Sequence, residues 1–140
     1  MGIEENKEVV RKYLTEILGK LDYTHAEDLM HEDFFGEEGR IQGIEGHKKN
    51  FTAQRKKIPD ARIEILDLIA EGDKVVSVSL QTGTDTGGFL SPTPTNNRME
   101  LKVIAIYTVK DGKIAHGDVT YDGLELYQQL GFYPPMPESN

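Results

Sequence analysis

Apolar residues near the N-terminus recur with the period of an α-helix. They follow the spacing i, i+3, i+4, i+7, i+8 and i+11, at Val10, Tyr13, Leu14, Ile17, Leu18 and Leu21. Side chains at this spacing share one helix face, so the pattern predicts an amphipathic helix over about residues 4–21.

Two further helices are predicted before residue 60. Thr24 and Glu27 have the spacing of a capping box, which begins a short second helix that the chain leaves around His31. Residues between Ile44 and Ile58 again follow the helical period, and the proline that comes next ends this third helix. The N-terminal part of the chain is therefore predicted to be mainly helical.

Beyond residue 60 the apolar positions alternate with polar ones, which is the period of a β-strand. Glycine-bearing turns at 71–73 and 111–112 separate the alternating segments, and a loop of small residues covers 85–97. Strands are predicted over about 63–69, 74–84, 99–108 and 114–122, followed by a short helix over 124–130. Helices followed by antiparallel strands, without β-α-β alternation, predict an α+β domain whose helices cover one face of the sheet.

Composition and charge narrow the range of functions. The 140 residues suit one domain, with an ordered core predicted over about 4–131 and a tail over 132–140. Acidic residues outnumber basic ones by 24 to 16, and the resulting net charge of −8 argues against nucleic acid as a partner. Because cysteine is absent, disulfides, thiolate nucleophiles and cysteine-ligated metal sites are excluded.

The N-terminus and the hydropathy bear on location. The chain starts with polar and acidic residues rather than with the apolar run of a signal peptide. No apolar stretch approaches the ~20 residues that span a bilayer. The sequence therefore predicts a cytoplasmic protein without a membrane partner.

Six short segments stand out for their order and spacing. They are residues 59–63 (PDARI), 67–76 (DLIAEGDKVV), 82–87 (TGTDTG), 97–101 (NRMEL), 111–114 (DGKI) and 128–131 (QQLG). Taken together, these segments resemble the SnoaL-like polyketide and ester cyclases of the nuclear transport factor 2-like superfamily. The resemblance extends over nearly the whole chain, so residues 1–140 are interpreted as a single SnoaL-like domain.

The resemblance implies a cone-shaped nuclear transport factor 2-like fold, in which three N-terminal helices pack on a strongly curved antiparallel sheet around a pocket for an apolar small molecule. It also implies chemistry without a cofactor, such as the aldol cyclisation of a polyketide with a pocket aspartate as acid or base. Since such helices cover only one sheet face, a homodimer is expected to bury the other, at residues such as Val76, Val78, Ile104 and Ile106.

Asp122 is the first candidate for a catalytic acid or base. The resemblance matches it to the final aspartate of the family's last-strand motif, and a carboxylate in an apolar pocket has a raised pKa that suits proton transfer next to a carbonyl. Asp122 also precedes a predicted helix, where an aspartate commonly serves as the N-cap. Both interpretations stay open at this point.

Asp118 and His116 are candidates on the last predicted strand, Asp118 as a second catalytic carboxylate and His116 as a substrate contact. The family's histidine and its neighbouring acid are out of register with these two residues, and a one-residue bulge would restore the match. In the alternative interpretation, this polar row faces solvent while the apolar row beside it faces the core.

Four other residues are candidates for substrate binding. Asp85 stands where the family has a histidine, although in a loop it could instead form a local side-chain turn. His47, Tyr13 and Phe51 lie on the predicted inner faces of two helices, where they either line the pocket or belong to the core. The four histidines show no paired ligand spacing, so no metal site is predicted.

The sequence thus favours a small-molecule enzyme that uses a pocket carboxylate to move a proton on an apolar carbonyl compound, as in an aldol-type cyclisation or an isomerisation. The alternative is a non-catalytic protein of the same fold that binds a small ligand. Carboxylates that converge on a cavity favour the enzyme, whereas a cavity without them favours the binding protein.

Overall fold

The first helix changes its geometry halfway along. A computed structural model describes residues 2–36 and 39–133, and in it helix α1 covers Ile3–Lys12 and continues as a π-helix over Tyr13–Leu18. The N–H of Gly19 accordingly donates to the carbonyl of Leu14, five residues back. The predicted helix is therefore present in two segments.

Three more helices follow along the chain. α2 is a single turn over Ala26–Leu29, α3 spans Gly43–Lys57, and α4 spans Gly123–Gln129. The last turn of α3 is basic, which complements the negative end of the helix dipole. The bounds of α3 and α4 are close to those that the sequence predicts.

The described part of the chain contains six strands, which form one sheet. They are β1 (Met30–Gly36), β2 (Ile41–Gln42), β3 (Arg62–Glu71), β4 (Lys74–Thr84), β5 (Arg98–Lys110) and β6 (Lys113–Thr120). Their order in the sheet is β2-β1-β6-β5-β4-β3. β3 to β6 are the four predicted strands, and antiparallel ladders join them in sequence order.

The sequence pattern does not predict β1 and β2. β1 runs parallel to β6, so the sheet is mixed rather than wholly antiparallel, and these two strands separate α3 from the first two helices. The register shifts between Met30 and Phe35, which removes the strict alternation of buried and exposed positions. A strand of two residues, such as β2, is too short to show a period at all.

The sheet is curved, as predicted, and its two faces differ in character. The inner face carries the buried alternate residues of β5, from Met99 to Tyr107, and the first helix packs against this side, with Tyr13 edge-on to Tyr107. Irregular pairing between Ile65 and Asp67 on β3 adds local bend and twist. The predicted α+β fold is confirmed.

The C-terminal helix closes one end of the domain. A second apolar cluster joins it to β5 and to the end of α3, through Leu126, Leu130, Met99, Leu101, Val103 and Ile58. The predicted tail lies from residue 134 onward outside the described residues. No helix in the described part of the chain is long and apolar enough to cross a membrane.

We expect the outer face of the sheet to be buried in a homodimer. Ile104 and Ile106 are 38% and 44% exposed there, beside the partly buried Val76 and Val78. Light scattering at micromolar concentration should give twice the 15.7 kDa mass of one chain. Ile106→Lys should shift the mass toward the monomer because it places a charge in the interface, whereas Lys20→Gln, at an exposed position after the first helix, should not. A monomeric mass for the unmodified chain would contradict the prediction.

Candidate functional site

A cavity of about 420 Å³ lies between the inner face of the sheet and the helices. Its volume is within the range of pockets that hold small organic ligands. Most of the wall is apolar, and its members include Leu14, Leu18, Phe51, Ile58, Phe89, Met99, Leu101 and Val103. Val119 and Tyr121 also line the cavity and stay half exposed, so solvent reaches it from the end of β6.

His47 lies at the cavity wall between two tyrosines. Its Nε2 shares a hydrogen bond of 2.7 Å with the Tyr13 hydroxyl, and its Nδ1 shares one of 2.7 Å with the Tyr23 hydroxyl. The ring packs on Phe51, with centroids 4.4 Å apart, and edge-on to Phe34 at 5.5 Å. These contacts bury the imidazole completely and fix its orientation.

Burial keeps these three polar groups uncharged. It lowers the pKa of His47 to about 4, so the imidazole is neutral at pH 7. Burial also raises the pKa values of Tyr13 and Tyr23, so both side chains remain hydroxyls. A neutral imidazole has one N–H and one acceptor nitrogen, so one tyrosine donates to it and the other accepts from it.

The inner face of β4 adds further uncharged polar groups to the cavity. Ser77, Ser79 and Gln81 alternate along the strand and all line the cavity. Ser77 hydrogen-bonds Tyr107, and burial raises the pKa of that tyrosine. Across from Tyr107 stands Gly117, where a Cβ would come within 3.1 Å of the ring, so a glycine leaves space for it. The cavity can thus orient a ligand with neutral hydrogen bonds.

Charge at the cavity is positive. Arg55, Lys57 and Arg62 line it, whereas none of the described lining residues is Asp or Glu. The Arg55 Nη2 donates to the carbonyls of Leu18 and Gly19, at 2.8 and 3.1 Å, which holds the guanidinium beside the cavity. Residues 2–36 and 39–133 contain no group of three or more His, Asp or Glu arranged for a metal ion.

The structure brings three of the seven predicted site residues together at the cavity and keeps the other four away from it. Tyr13, His47 and Phe51 line the cavity. Asp118 and His116 lie on the outer face of β6, where His116 Nε2 is 3.1 Å from the Asp118 carboxylate. A one-residue bulge, the condition for restoring the family match, occurs directly before His116, but the polar row still faces outward because alternation resumes with His116 outside.

Asp85 does not reach the cavity; it organises the loop that follows β4. It is fully buried, and its carboxylate accepts hydrogen bonds from the N–H groups of Gly88, Phe89 and Thr95 and from the Thr95 hydroxyl, at 2.7 to 3.1 Å. Phe89 in turn lines the cavity. Asp85 therefore acts on the site by positioning this loop, which is the local-turn alternative.

Asp122 caps α4 and is exposed, and it does not line the cavity. Its Oδ1 accepts from the Glu125 N–H at 3.0 Å. A catalytic role for Asp122 stays a prediction, to which this position adds no support.

We expect Asp122→Asn to leave the free energy of unfolding and the activity nearly unchanged, because asparagine also caps helices. Asp122→Ala should lose about 1 kcal/mol in urea unfolding, because the cap is removed. A loss of about 100-fold or more in turnover for Asp122→Asn would instead support proton transfer by this residue.

Sequence reasoning missed Tyr23, Tyr107 and Ser77. Tyr23 lies between two helices, where no periodicity marks it. Ser77 and Ser79 do carry a signal, since they place two polar side chains on the strand face that should be buried. This pattern is typical of a sheet face that lines a cavity rather than a packed core.

Solved structures share the fold. TsrD from Streptomyces laurentii superimposes with a TM-score of 0.83 and 24% identity, covering 95% of this chain and 99% of that chain. A provisionally assigned polyketide cyclase from Bacillus cereus has a TM-score of 0.73 and 30% identity, covering 91% of this chain and 81% of that chain. A SnoaL-like polyketide cyclase from Agrobacterium tumefaciens has a TM-score of 0.78 and 17% identity, covering 94% of this chain and 100% of that chain.

The family assignment comes from the sequence itself. No curated protein matches the chain significantly. The family model for SnoaL-like polyketide cyclases matches residues 8–130, which include the described strands, the cavity wall and the described helices apart from the first five residues of α1. The chain therefore belongs to the SnoaL-like polyketide cyclase family.

Proposed function

We propose that this protein binds an apolar carbonyl compound in the cavity and delivers a proton to its oxygen through Tyr23, His47 and Tyr13. The observation that carries the proposal is the hydrogen-bonded chain from the half-buried Tyr23 through His47 to Tyr13 at the cavity wall, with 2.7 Å at both links. Since all three groups are neutral at pH 7, the chain moves a proton without leaving a charge in the interior.

The transfer is a concerted shift of four protons. As the ligand's carbonyl oxygen becomes an alkoxide or an enolate, the Tyr13 hydroxyl gives it a proton and receives the Nε2 proton of His47. The Nδ1 atom of His47 then takes the hydroxyl proton of Tyr23, which regains one from water. Water loses one proton, the ligand oxygen gains one, and His47 ends in its other neutral tautomer.

Family membership supports a carbonyl substrate. Protonation of a developing oxyanion is a step that aldol-type cyclisation and keto–enol isomerisation share. Because no carboxylate among the described residues lines the cavity, water is the base that removes the carbon-bound proton. Suitable substrates then have hydrogens that an adjacent carbonyl makes acidic.

Binding without turnover is the second candidate. The observation in its favour is the same cavity wall, whose described residues include no carboxylate for acid and base chemistry. In this case Tyr13 only orients the ligand by a hydrogen bond, and loss of its hydroxyl lowers affinity by about fivefold, which corresponds to about 1 kcal/mol for one such bond.

Tyr13→Phe is the variant that tests the proton chain. Native mass spectrometry of the protein from its own host should reveal the co-purified ligand, and methyl naphthyl ketone serves as a first probe. Exchange of its methyl hydrogens for deuterium, followed by NMR, measures enolisation. Tyr13→Phe should lower kcat by about 100- to 10,000-fold with little change in KM, because only the hydroxyl is lost.

Two further variants complete the test. Tyr23→Phe should slow exchange less, because water can replace a partner that is half exposed. Tyr127→Phe, on the exposed side of α4, is the matched control and should keep full activity. Equal kcat for Tyr13→Phe and the unmodified protein would contradict the proton chain. If neither protein catalyses the exchange, the result favours binding without turnover.

A further inference from the structure

We infer that the natural ligand of the cavity is an apolar compound that carries a carboxylate, and that Lys57 and Arg62 bind this carboxylate at the cavity rim. The inference rests on the proposed function, because it assigns the substrate class of the same cavity. The observation behind it is the sign of the charge at the site. The chain has a net charge of −8, yet the charged side chains at the cavity wall are all cations among the described residues.

The positive charge continues from the cavity onto the surface. A second, open hollow on the outer side of α3 is lined by four lysines, Lys48, Lys49, Lys56 and Lys57, with Glu45 as the acidic member. Lys57 and Ala53 belong to both this hollow and the cavity. A cationic strip thus leads along α3 to the cavity rim, and such a strip attracts anions from solution.

The helix dipole accounts for only part of this positive charge, and both Lys57 and Arg62 are exposed to solvent, where a ligand can reach them. Lys57 lies in the last turn of α3, where the helix dipole favours a positive charge, but Arg62 lies on β3 and has no such reason to be there. Within the described ranges, Arg55, Lys57 and Arg62 form no ion pair with a carboxylate. Arg55 is partly buried, and its charge faces a cavity whose described lining residues include neither Asp nor Glu.

The ligand class follows from the two parts of the site. The apolar wall with its neutral hydroxyl and imidazole groups suits a ring system with a carbonyl oxygen. The rim offers a guanidinium, which binds a carboxylate with two parallel hydrogen bonds, and an ammonium. An apolar body with a terminal carboxylate satisfies both parts at once.

A matched pair of ligands tests the inference. Naphthoate and methyl naphthyl ketone have the same ring and a similar shape, but only naphthoate is charged at pH 7. Isothermal titration calorimetry of the full chain should show naphthoate binding about tenfold more tightly at low salt, and high salt should reduce this preference. The double variant Lys57→Gln with Arg62→Gln should abolish the preference and leave ketone binding unchanged. Lys102→Gln, on the outer face of β5, should preserve it.

The outcomes separate this inference from the proposed function. If the ketone binds and exchanges its hydrogens but naphthoate binds no more tightly, the carboxylate inference fails and the proton chain stands. If naphthoate is preferred while Tyr13→Phe retains full kcat, the proton chain fails and the carboxylate site stands. Retention of the preference in the double variant overturns the assignment to Lys57 and Arg62. Binding of neither ligand at millimolar concentration overturns both proposals.

Discussion

Asp85→Ala should lower the free energy of unfolding by about 3–5 kcal/mol, because it leaves several donors in the 85–97 loop without an acceptor. The Asp85 carboxylate accepts three N–H groups and one hydroxyl in the native state, and it is fully buried. Urea unfolding at pH 7 measures the loss. Asp28→Ala is the matched control, since it removes an exposed aspartate whose side chain is 81% accessible, and it should cost well under about 1 kcal/mol.

The pH dependence gives this prediction a second readout. Burial alone raises the pKa of Asp85, but hydrogen bonds from Thr95, Phe89 and Gly88 outweigh it and hold the pKa below its usual value. The stability that Asp85 contributes is therefore complete above the pKa of an unfolded aspartate, about 4, and it is lost as the pH falls through the folded pKa. The difference between the unmodified chain and Asp85→Asn should narrow below about pH 4. A constant difference in the free energy of unfolding down to pH 2 would contradict the role of the ionised Asp85 carboxylate.

His47 should make the fold less stable as the pH falls from about 6.5 to about 4. Burial lowers its pKa from 6.5 to about 4, so in this window the unfolded chain binds a proton that the folded chain does not. The free energy of unfolding therefore rises with pH across the window. The contribution of the neutral His47 to stability is fully present above about pH 6.5. The two pKa values correspond to a total change of about 3 kcal/mol.

His47→Gln separates this effect from other acid-sensitive groups. The variant should be less stable than the unmodified chain at pH 7, because two tyrosine hydroxyls lose their ring partner, but its stability should change less between pH 6.5 and 4. His25→Gln, which removes an exposed histidine, should keep the full slope. NMR of the His47 ring should show the neutral form down to pH 5. A titration midpoint near 6.5 would contradict the burial argument.

Local patterns determine most of the secondary structure of this protein. The period of 3.6 residues identifies α3, and the period of two identifies β4, where the predicted bounds of 74–84 equal the observed Lys74–Thr84. These elements bury a continuous stripe or face, so their sequences carry the period. β1 escapes detection because its register shifts, and its pairing with β6 depends on a strand about 80 residues away.

The site depends on contacts that no local pattern contains. Tyr23, His47 and Tyr13 come from three separate segments, and the distances between them exist only after α3 has packed against the first helix and the sheet. The carboxylates show the same dependence. Asp118 could face either side of β6, and the phase of alternation after the bulge places it outside.

The sequence by itself determined the α+β class, the four-stranded antiparallel part of the sheet, the negative charge and the resemblance to the SnoaL-like family, because each depends on composition, periodicity or the order of short motifs. Tertiary structure alone decided which polar residues meet in the cavity. A side chain in an amphipathic pattern is assigned to a face, but its pKa and its chemistry depend on which groups the facing elements bring against it. For His47 those groups are two hydroxyls and two phenyl rings rather than a carboxylate, so the imidazole is neutral.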